Sequence, residues 1–243
     1  MVNIKKIQEK LYMKKTSKNK TILCIDTTSE VCGVALIQND LILYENNINN
    51  CYNHSITLFN NIHSSLLKNK IDMSAVDEIR VSSGPGSFTG IRIGVAAAIG
   101  LSEKYNTKIC YIDTLDSLAY NVIGNNDIII SMIDAKCNRI YLSLYFSKNL
   151  KKIHKDLIVN INDLCDELNN KFTEKNISFS FVGSGVIKYM DILDNNLSIK
   201  YKLFPNKSKL KASSLAYINS NNNILNINYL LSSKAERDRN VNC

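Results

Sequence analysis

The sequence predicts an α/β protein in which one mixed-sheet unit is used twice, and three observations predict it. β-branched apolar runs and stretches of helical period follow one another in the order strand, strand, strand, helix, strand, helix, strand, helix. The opening strand pair then returns at an offset of 108 residues: Ile25 and Asp26 align with Ile133 and Asp134, and Val34 and Leu36 with Leu142 and Leu144. Finally, VSSG (81–84) is echoed by VGSG (182–185) in the same order, as expected of a duplicated unit. The expected division is a Lys-rich lead at 1–20, a first lobe at 21–122 and a second, more divergent lobe at 123–243, whose last helix is expected to pack back on the first.

The elements follow from local pattern. Residues 1–20 carry seven lysines against Glu9, which is +6 of the formal +8 and leaves +2 for Thr21 to Cys243. That lead reads as a disordered extension; it has no Arg and, in Ser17, a single Ser, against the composition of a transit peptide. With so little charge left over, no nucleic-acid footprint is predicted on the folded body. TILCID, CGVALIQ and LILYEN form a three-strand meander, with turns at TTSEV and at Asn39-Asp40. Ile56, Phe59, Ile62 and Leu66 recur at helical spacing between Tyr52 and Lys68. A short strand (Ile79 to Ser82), a Gly-rich turn (Gly84 to Gly90) and a helix (Ile91 to Tyr105) come next, then a strand at Lys108 to Ile112 and a helix from Thr114 to Val122. After the repeated strand pair, helices are expected at Ile161 to Asn170 and Ala212 to Asn219, a strand at Ser178 to Val182 and a solvated tail after Leu231.

The Gly-rich turn is the most informative stretch. Gly84, Gly86 and Gly90 permit positive φ, and Thr89 is the expected N-cap. Backbone N–H groups at such a helix start suit an anion. GPGSFTGIR is nevertheless not a P-loop, because no Lys-Ser/Thr follows, and not a dinucleotide fingerprint, because the third Gly falls one residue late. Each interior helix glycine costs about 0.5–1 kcal/mol relative to Ala. The stripe Gly90, Gly94, Ala98 is therefore expected to receive a second backbone at close range.

Several classes are excluded or disfavoured. No apolar run approaches the 18 residues of a membrane span. The seven cysteines show no CxxC spacing, which fits reduced thiols and a cytoplasmic protein. The three histidines (54, 63, 154) have no ligand spacing, so no metal and no cofactor are expected.

ILCIDTTSEVCGVALI, His54-Ser55 at the head of the first helix, SSGPGSFTGIRIGVAAAIGL and MIDAKCNRIYLSLY resemble the bacterial TsaB (YeaZ) family, in order from Ile22 to Tyr145, with FVGSG (181–185) and NYLL (228–231) extending the match. The resemblance implies a duplicated actin-like (ASKHA, ribonuclease H-like) fold. It also implies a noncatalytic scaffold role in forming N6-threonylcarbamoyladenosine at position 37 of tRNAs that read A-starting codons. TsaD would be the catalytic partner, TsaE an ATPase that joins the pair, and tRNA would be met only through the complex. Contact through paired N-terminal helices would involve Ile56, Phe59, His63, Gly90, Gly94, Ala97, Ala98 and Leu101, and the same helices are a candidate homodimer face when TsaD is absent.

The alternative is an independent phosphotransferase or ATPase of the same fold. Its candidate nucleotide positions are Asp26, Thr27, Ser83, Gly84, Gly86, Ser87, Thr89, Arg92 and Asp134. Asp26 and Asp134 stand at the strand ends where ATP-using relatives orient metal and phosphate. Neither following turn (Thr27 to Val31; Ala135 to Cys137) contains the glycine of a phosphate nest, and Glu30 adds negative charge. The two aspartates are therefore expected to cap their hairpins. Arg92 is expected to be solvated, paired with an acid such as Glu78, or in contact with a partner or nucleotide. His54 and His63 lie nine residues apart, about two and a half helical turns, on opposite sides of the helix, so one metal cannot take both. The peptidase label attached to this superfamily has no ligand set here.

Overall fold

The computed structural model describes residues 20–49 and 53–219; the expected lead up to residue 19, the head of the first helix at Tyr52 and the tail after Leu231 lie outside them. Strands β1 (Thr21–Asp26), β2 (Cys32–Gln38) and β3 (Leu41–Ile48) form the meander. The β2–β3 turn holds two residues, Asn39 and Asp40, at φ 53° and 64°, the left-handed pair that matches the twist of a two-residue hairpin. Helix α1 (His54–Asn69), β4 (Glu78–Ser82), α2 (Phe88–Tyr105), β5 (Lys108–Ile112) and α3 (Thr114–Tyr120) complete the first unit. The second comprises β6 (Ile128–Asp134), β7 (Arg139–Phe146), the short β8 (Lys151–Lys152) and β9 (Leu157–Asn160), then α4 (Ile161–Phe172), β10 (Ser178–Val182), α5 (Ser184–Asn196), β11 (Lys200–Leu203) and a 3-10 helix, Ala212–Tyr217.

The duplication is visible in the strand order. The first sheet runs β3-β2-β1-β4-β5 and the second β8-β7-β6-β10-β11, with β9 also paired to β7. In both sheets an antiparallel pair (β1 with β2, β6 with β7) is extended by parallel strands reached through helices. This is the duplicated actin-like arrangement. α1 and α2 cover one face of the first sheet around Leu23, Ile25, Leu58, Ile79, Val81 and Ile91. In the second, α4 and α5 do so around Ile130, Leu142, Phe179 and Phe181.

The opposite faces are covered by exchange. α3 packs on β6 and β7 of the second sheet, whereas Ala212–Tyr217 packs on β1, β2, β3 and β4 of the first. Leu118, Ala119 and Val122 join Ile129, Tyr145 and Val182; Ala212, Leu215 and Ala216 join Ile22, Cys24, Ala35 and Ile112. Tyr120 and Tyr217 stack at 5.4 Å where the exchanged helices meet, a contact worth about 0.5–1.5 kcal/mol beyond its area. The two helices share one tetrapeptide: Ser117-Leu118-Ala119-Tyr120 and Ser214-Leu215-Ala216-Tyr217. That repeat was the signal for the exchange, and it escaped the sequence reading.

Several elements depart from expectation. α2 begins at Phe88 because Ser87, not Thr89, is its N-cap, accepting from Gly90 N at 3.2 Å. The last described helix is 3-10 rather than α. β8, β9, α5 and β11 are absent from the sequence-based expectation, and Tyr189 interrupts the helical dihedrals of α5 at φ −118°.

A buried ion network holds the returning chain on the first sheet. Arg80 Nη1 donates to the carbonyls of Leu215 (3.0 Å), Ala216 (2.8 Å) and Ile218 (2.9 Å), and its Nε donates to Glu78 (2.6 Å). Lys20 completes the group at 2.7 Å from Glu78. Burial raises the Glu78 carboxyl, but Lys20 and Arg80 outweigh it and hold the group below its ordinary range. Its contribution is therefore present above the unfolded glutamate value and lost as pH falls through the lowered one. Arg80→Met should destabilise the chain by about 3–5 kcal/mol, since it strips Glu78 of one of its cationic partners and leaves the buried carbonyls of Leu215, Ala216 and Ile218 without their donor. It should also make the loss of stability below about pH 4 shallower than in the natural chain; urea denaturation at several pH values measures both.

Candidate functional site

The Gly-rich turn is seated on the turn that follows β1, and this contact decides what both halves of the candidate site can do. Ser87 N donates to Thr28 O at 2.7 Å, and Thr27 Oγ1 donates to Gly90 O at 2.6 Å. A Cβ at Gly86 would collide with Thr28 O, one at Gly90 with Thr27 O, and one at Gly94 would stand 2.5 Å from Thr27 Oγ1 and 3.6 Å from Ile25 and Val81. The close approach expected of this stripe is thus realised, but the backbone received is the chain's own. Gly84 adopts φ 104° at the bend and accepts from Thr114 N at 2.9 Å, while Ser83 N and Oγ both donate to Ile112 O.

Both aspartates serve their own turns. Asp26 is buried; its Oδ1 accepts from Thr28 N (2.9 Å) and Thr28 Oγ1 (2.8 Å), and its Oδ2 from Ser82 Oγ (2.9 Å). Burial pushes its carboxyl upward against the pull of those bonds and of His54. Asp134 Oδ1 accepts from Lys136 N and Tyr189 Oη, each at 2.9 Å, and its Oδ2 lies 3.1 Å from Lys136 Nζ. Burial raises that carboxyl, yet the Lys136 and Tyr189 contacts prevail and hold it below the ordinary range. Among the described residues no group of three or more His, Cys, Asp or Glu is arranged to hold a metal ion. His54 Nε2 donates to Ser29 O at 2.9 Å, tying the start of α1 to the β1 turn.

The predicted interface residues divide into two sets. Ile56 (60% exposed), Phe59 (51%) and His63 lie on the outer side of α1 beside Leu67 (67%). Leu101 is half-buried. Gly90, Gly94, Ala97 and Ala98 are buried beneath α2, facing the sheet with Ile91 and Val95. The correction has a physical reason: small residues flanked by Ile91 and Val95 belong to the core stripe, and they let α2 lie close on β1 and β4. Arg92, Ala96 and Gly100 occupy the outer side. Arg92 lies over the Phe88 ring at 3.7 Å, while the acid proposed for it, Glu78, is engaged by Lys20, Arg80 and Lys108. Thr89 is exposed at the first turn of α2.

A second charged group lay hidden because its members are distant in sequence. Lys152 Nζ sits 3.2 Å from Asp113, 3.0 Å from Asp116 and 2.7 Å from Asp156, and Tyr145 donates to Asp116 at 2.6 Å. Asp113 also caps α3 through Leu115 N. Burial, with Asp116 and Asp156 nearby, pushes the Asp113 carboxyl up, and Lys152 moves against it. The group links the start of α3 to the β8–β9 edge.

A family model described as TsaD, tRNA N6-adenosine threonylcarbamoyltransferase, matches residues 50–241. The chain is 32% identical to the tRNA threonylcarbamoyladenosine biosynthesis protein TsaB of Bacillus subtilis, across 74% of this chain and 78% of that one. It is 29% identical to the TsaB of Buchnera aphidicola subsp. Baizongia pistaciae, across 77% and 85%. The solved structure of YeaZ from Pseudomonas aeruginosa superposes with a TM-score of 0.64 at 21% identity, covering 82% of this chain and 89% of that one.

The glycines predict opposite outcomes on one helix. Gly90→Ala should lower stability by about 1–3 kcal/mol or more, because the new methyl meets backbone. At Gly100 no heavy atom stands within 4 Å of an added Cβ. Gly100→Ala should therefore raise stability by about 0.5–1 kcal/mol; chemical denaturation of both variants checks the pair.

Proposed function

Because the chain belongs to the TsaB family and so to tRNA threonylcarbamoyladenosine biosynthesis, we propose that it acts there as a noncatalytic scaffold subunit that docks on TsaD and holds it active. The observation that carries this reading is the outer face of the two helices on the first sheet. Ile56, Phe59 and Leu67 are exposed along α1. Beside them α2 turns outward a smooth row, Ala96 and Gly100, behind Arg92. An apolar helical face next to a low-profile one suits a helix pair from another protein. Leu101, half-buried at the margin, is placed in the same interface, while Gly90, Gly94, Ala97 and Ala98 act beneath it by setting the height of α2.

The state of the strand ends supports the same reading over independent ATP turnover. A carboxylate that is to orient a metal-bound water needs free lone pairs facing a cleft. Asp26 instead spends both oxygens on Thr28 and Ser82. The seat of Gly86 on Thr28 closes the Gly-rich turn against the end of β1, with Ser87 N already donating to Thr28 O. TsaE is placed as a third component that joins the pair, and a homodimer through the same helices is the expected state of the chain without TsaD.

Phe59→Asp and Ala96→Glu should each abolish co-purification with TsaD while leaving the melting temperature within a few degrees of the natural chain. Asp26→Asn should fold, bind TsaD and support threonylcarbamoylation to within about twofold, since ΔΔG‡ of a bystander is below about 0.4 kcal/mol. A wild-type yield of complex from both face variants would remove the docking surface. Loss of Mg²⁺-dependent nucleotide turnover in Asp26→Asn would put the phosphotransferase reading in its place.

A further inference from the structure

The small surplus of charge on the folded body hides a strong local imbalance. Residues 21–194 contain 15 Lys and Arg against 19 Asp and Glu, a formal −4. Residues 195–219 contain five lysines (200, 202, 207, 209 and 211) and no acid at all, a formal +5. All five are exposed, on the edge strand β11 and on the segment that leads from it to the first sheet.

This segment is built rather than loose. Along it Lys207, Lys209 and Lys211 are exposed while Ser208, Leu210 and Ala212 between and after them are buried, so the three lysines share one side. The buried residues anchor it: Ser208 Oγ donates to Phe204 O (2.7 Å) and accepts from Gly183 N (2.9 Å), and Leu210 packs with Leu118 and Val122. Asn121 Nδ2 donates to the carbonyls of Lys207 (3.1 Å) and Lys209 (3.4 Å), securing the backbone from the other side. Lys202 and Lys207 flank the Phe204 ring at 5.2 Å and 5.5 Å, which brings the strand lysines next to the loop lysines. Among the described residues, Lys202, Lys207, Lys209 and Lys211 form none of the ion pairs.

A row of unpaired ammonium groups on an anchored backbone is a surface for a polyanion. Two classes of polyanion fit a positive row, an anionic membrane and a nucleic-acid backbone. A membrane-surface segment exposes apolar side chains for insertion beside its lysines; here Phe204 and Leu210 are buried and Tyr201 and Leu203 half-buried. A phosphate backbone needs only the charges. We infer that the lysine row of β11 and the 207–211 segment is a contact for the phosphate backbone of tRNA, made by this subunit directly. The choice of tRNA among nucleic acids rests on the proposed place in tRNA modification. It departs from two expectations: that tRNA is met only through the complex, which the family resemblance implies, and that the folded body carries no nucleic-acid footprint, which followed from its small net charge.

The test is the salt dependence of binding by the full chain, with unfractionated tRNA as the probe. Each lost phosphate contact lowers the slope of log K against log[salt] by about 0.7–0.9. Lys207→Glu, Lys209→Glu and Lys211→Glu combined should therefore reduce the slope by about 2–3 and weaken binding about ten- to a hundredfold at ~0.1 M salt. The Gln triple at the same positions guards against charge repulsion as the cause, and should lower the slope likewise. Thermal melting shows that both variants fold, and co-purification with TsaD reports on the docking face independently. A folded triple variant with unchanged slope and affinity overturns the inference and leaves the docking reading intact. Loss of tRNA binding together with failure of the natural chain to bind TsaD sustains the lysine contact while sinking the docking reading. Binding of phosphatidylglycerol vesicles in place of tRNA overturns the inference in favour of a lipid surface.

Discussion

The seating of the Gly-rich turn on Thr27 and Thr28 is the constraint on which the functional geometry depends. It exists because Gly86, Gly90 and Gly94 have no Cβ where Thr27 and Thr28 stand. The backbone of the turn and the first turns of α2 can then approach the end of β1 closely enough for two hydrogen bonds, from Ser87 N and Thr27 Oγ1. Two consequences follow from one contact. Asp26, beneath the seat, is committed to Thr28 and Ser82. α2 is also fixed in rotation, so that Arg92, Ala96 and Gly100 look outward beside the exposed stripe of α1. The second unit uses the same device, with Gly183 and Gly185 pressed on Met132. Closure of the strand ends and presentation of the helical face are therefore products of the same packing.

The two sheets are bound by exchange rather than by simple apposition. Each carries on its rear face the final helix of the other unit, and the stack of Tyr120 on Tyr217 marks where those helices pass. Arg80 holds one of them by its last carbonyls, and the Asp113, Asp116, Lys152 and Asp156 group holds the start of the other. Separating the sheets would strip apolar cover from both and leave buried charges without partners. Such cross-bracing favours a body that offers rigid surfaces over one that opens and closes around a substrate.

How far the sequence could be read follows from the kind of signal each element carries. The strand pairs were legible because β-branched runs ending in Asp26 and Asp134 recur in order. The helix α5 was not, since Gly183, Gly185 and the bend at Tyr189 blur its period, although the echo of VSSG in VGSG placed a strand and turn directly before it. The sidedness of the Gly90, Gly94, Ala98 stripe was misread because small residues serve equally well against a partner and against the chain's own sheet. The neighbours Ile91 and Val95 held the answer, since a stripe that contains them faces the core. The lysine groups were invisible for opposite reasons: residues 113, 116, 152 and 156 are joined only by the fold, and the row at 200–211 was diluted by the acidic remainder of the body.

The central claim is that a helical face, and not a nucleotide between the lobes, is where this chain meets its substrate of interaction. Hydrogen–deuterium exchange of the full chain, alone and with TsaD and then with Mg²⁺ and ATP, tests it most directly. The account predicts that TsaD slows exchange in α1 (His54–Asn69) and along the exposed side of α2 (Phe88–Tyr105), and that nucleotide changes nothing in the isolated chain. Protection by Mg²⁺ and ATP at 26–28 and 83–87, with α1 and α2 unaffected by TsaD, would contradict it.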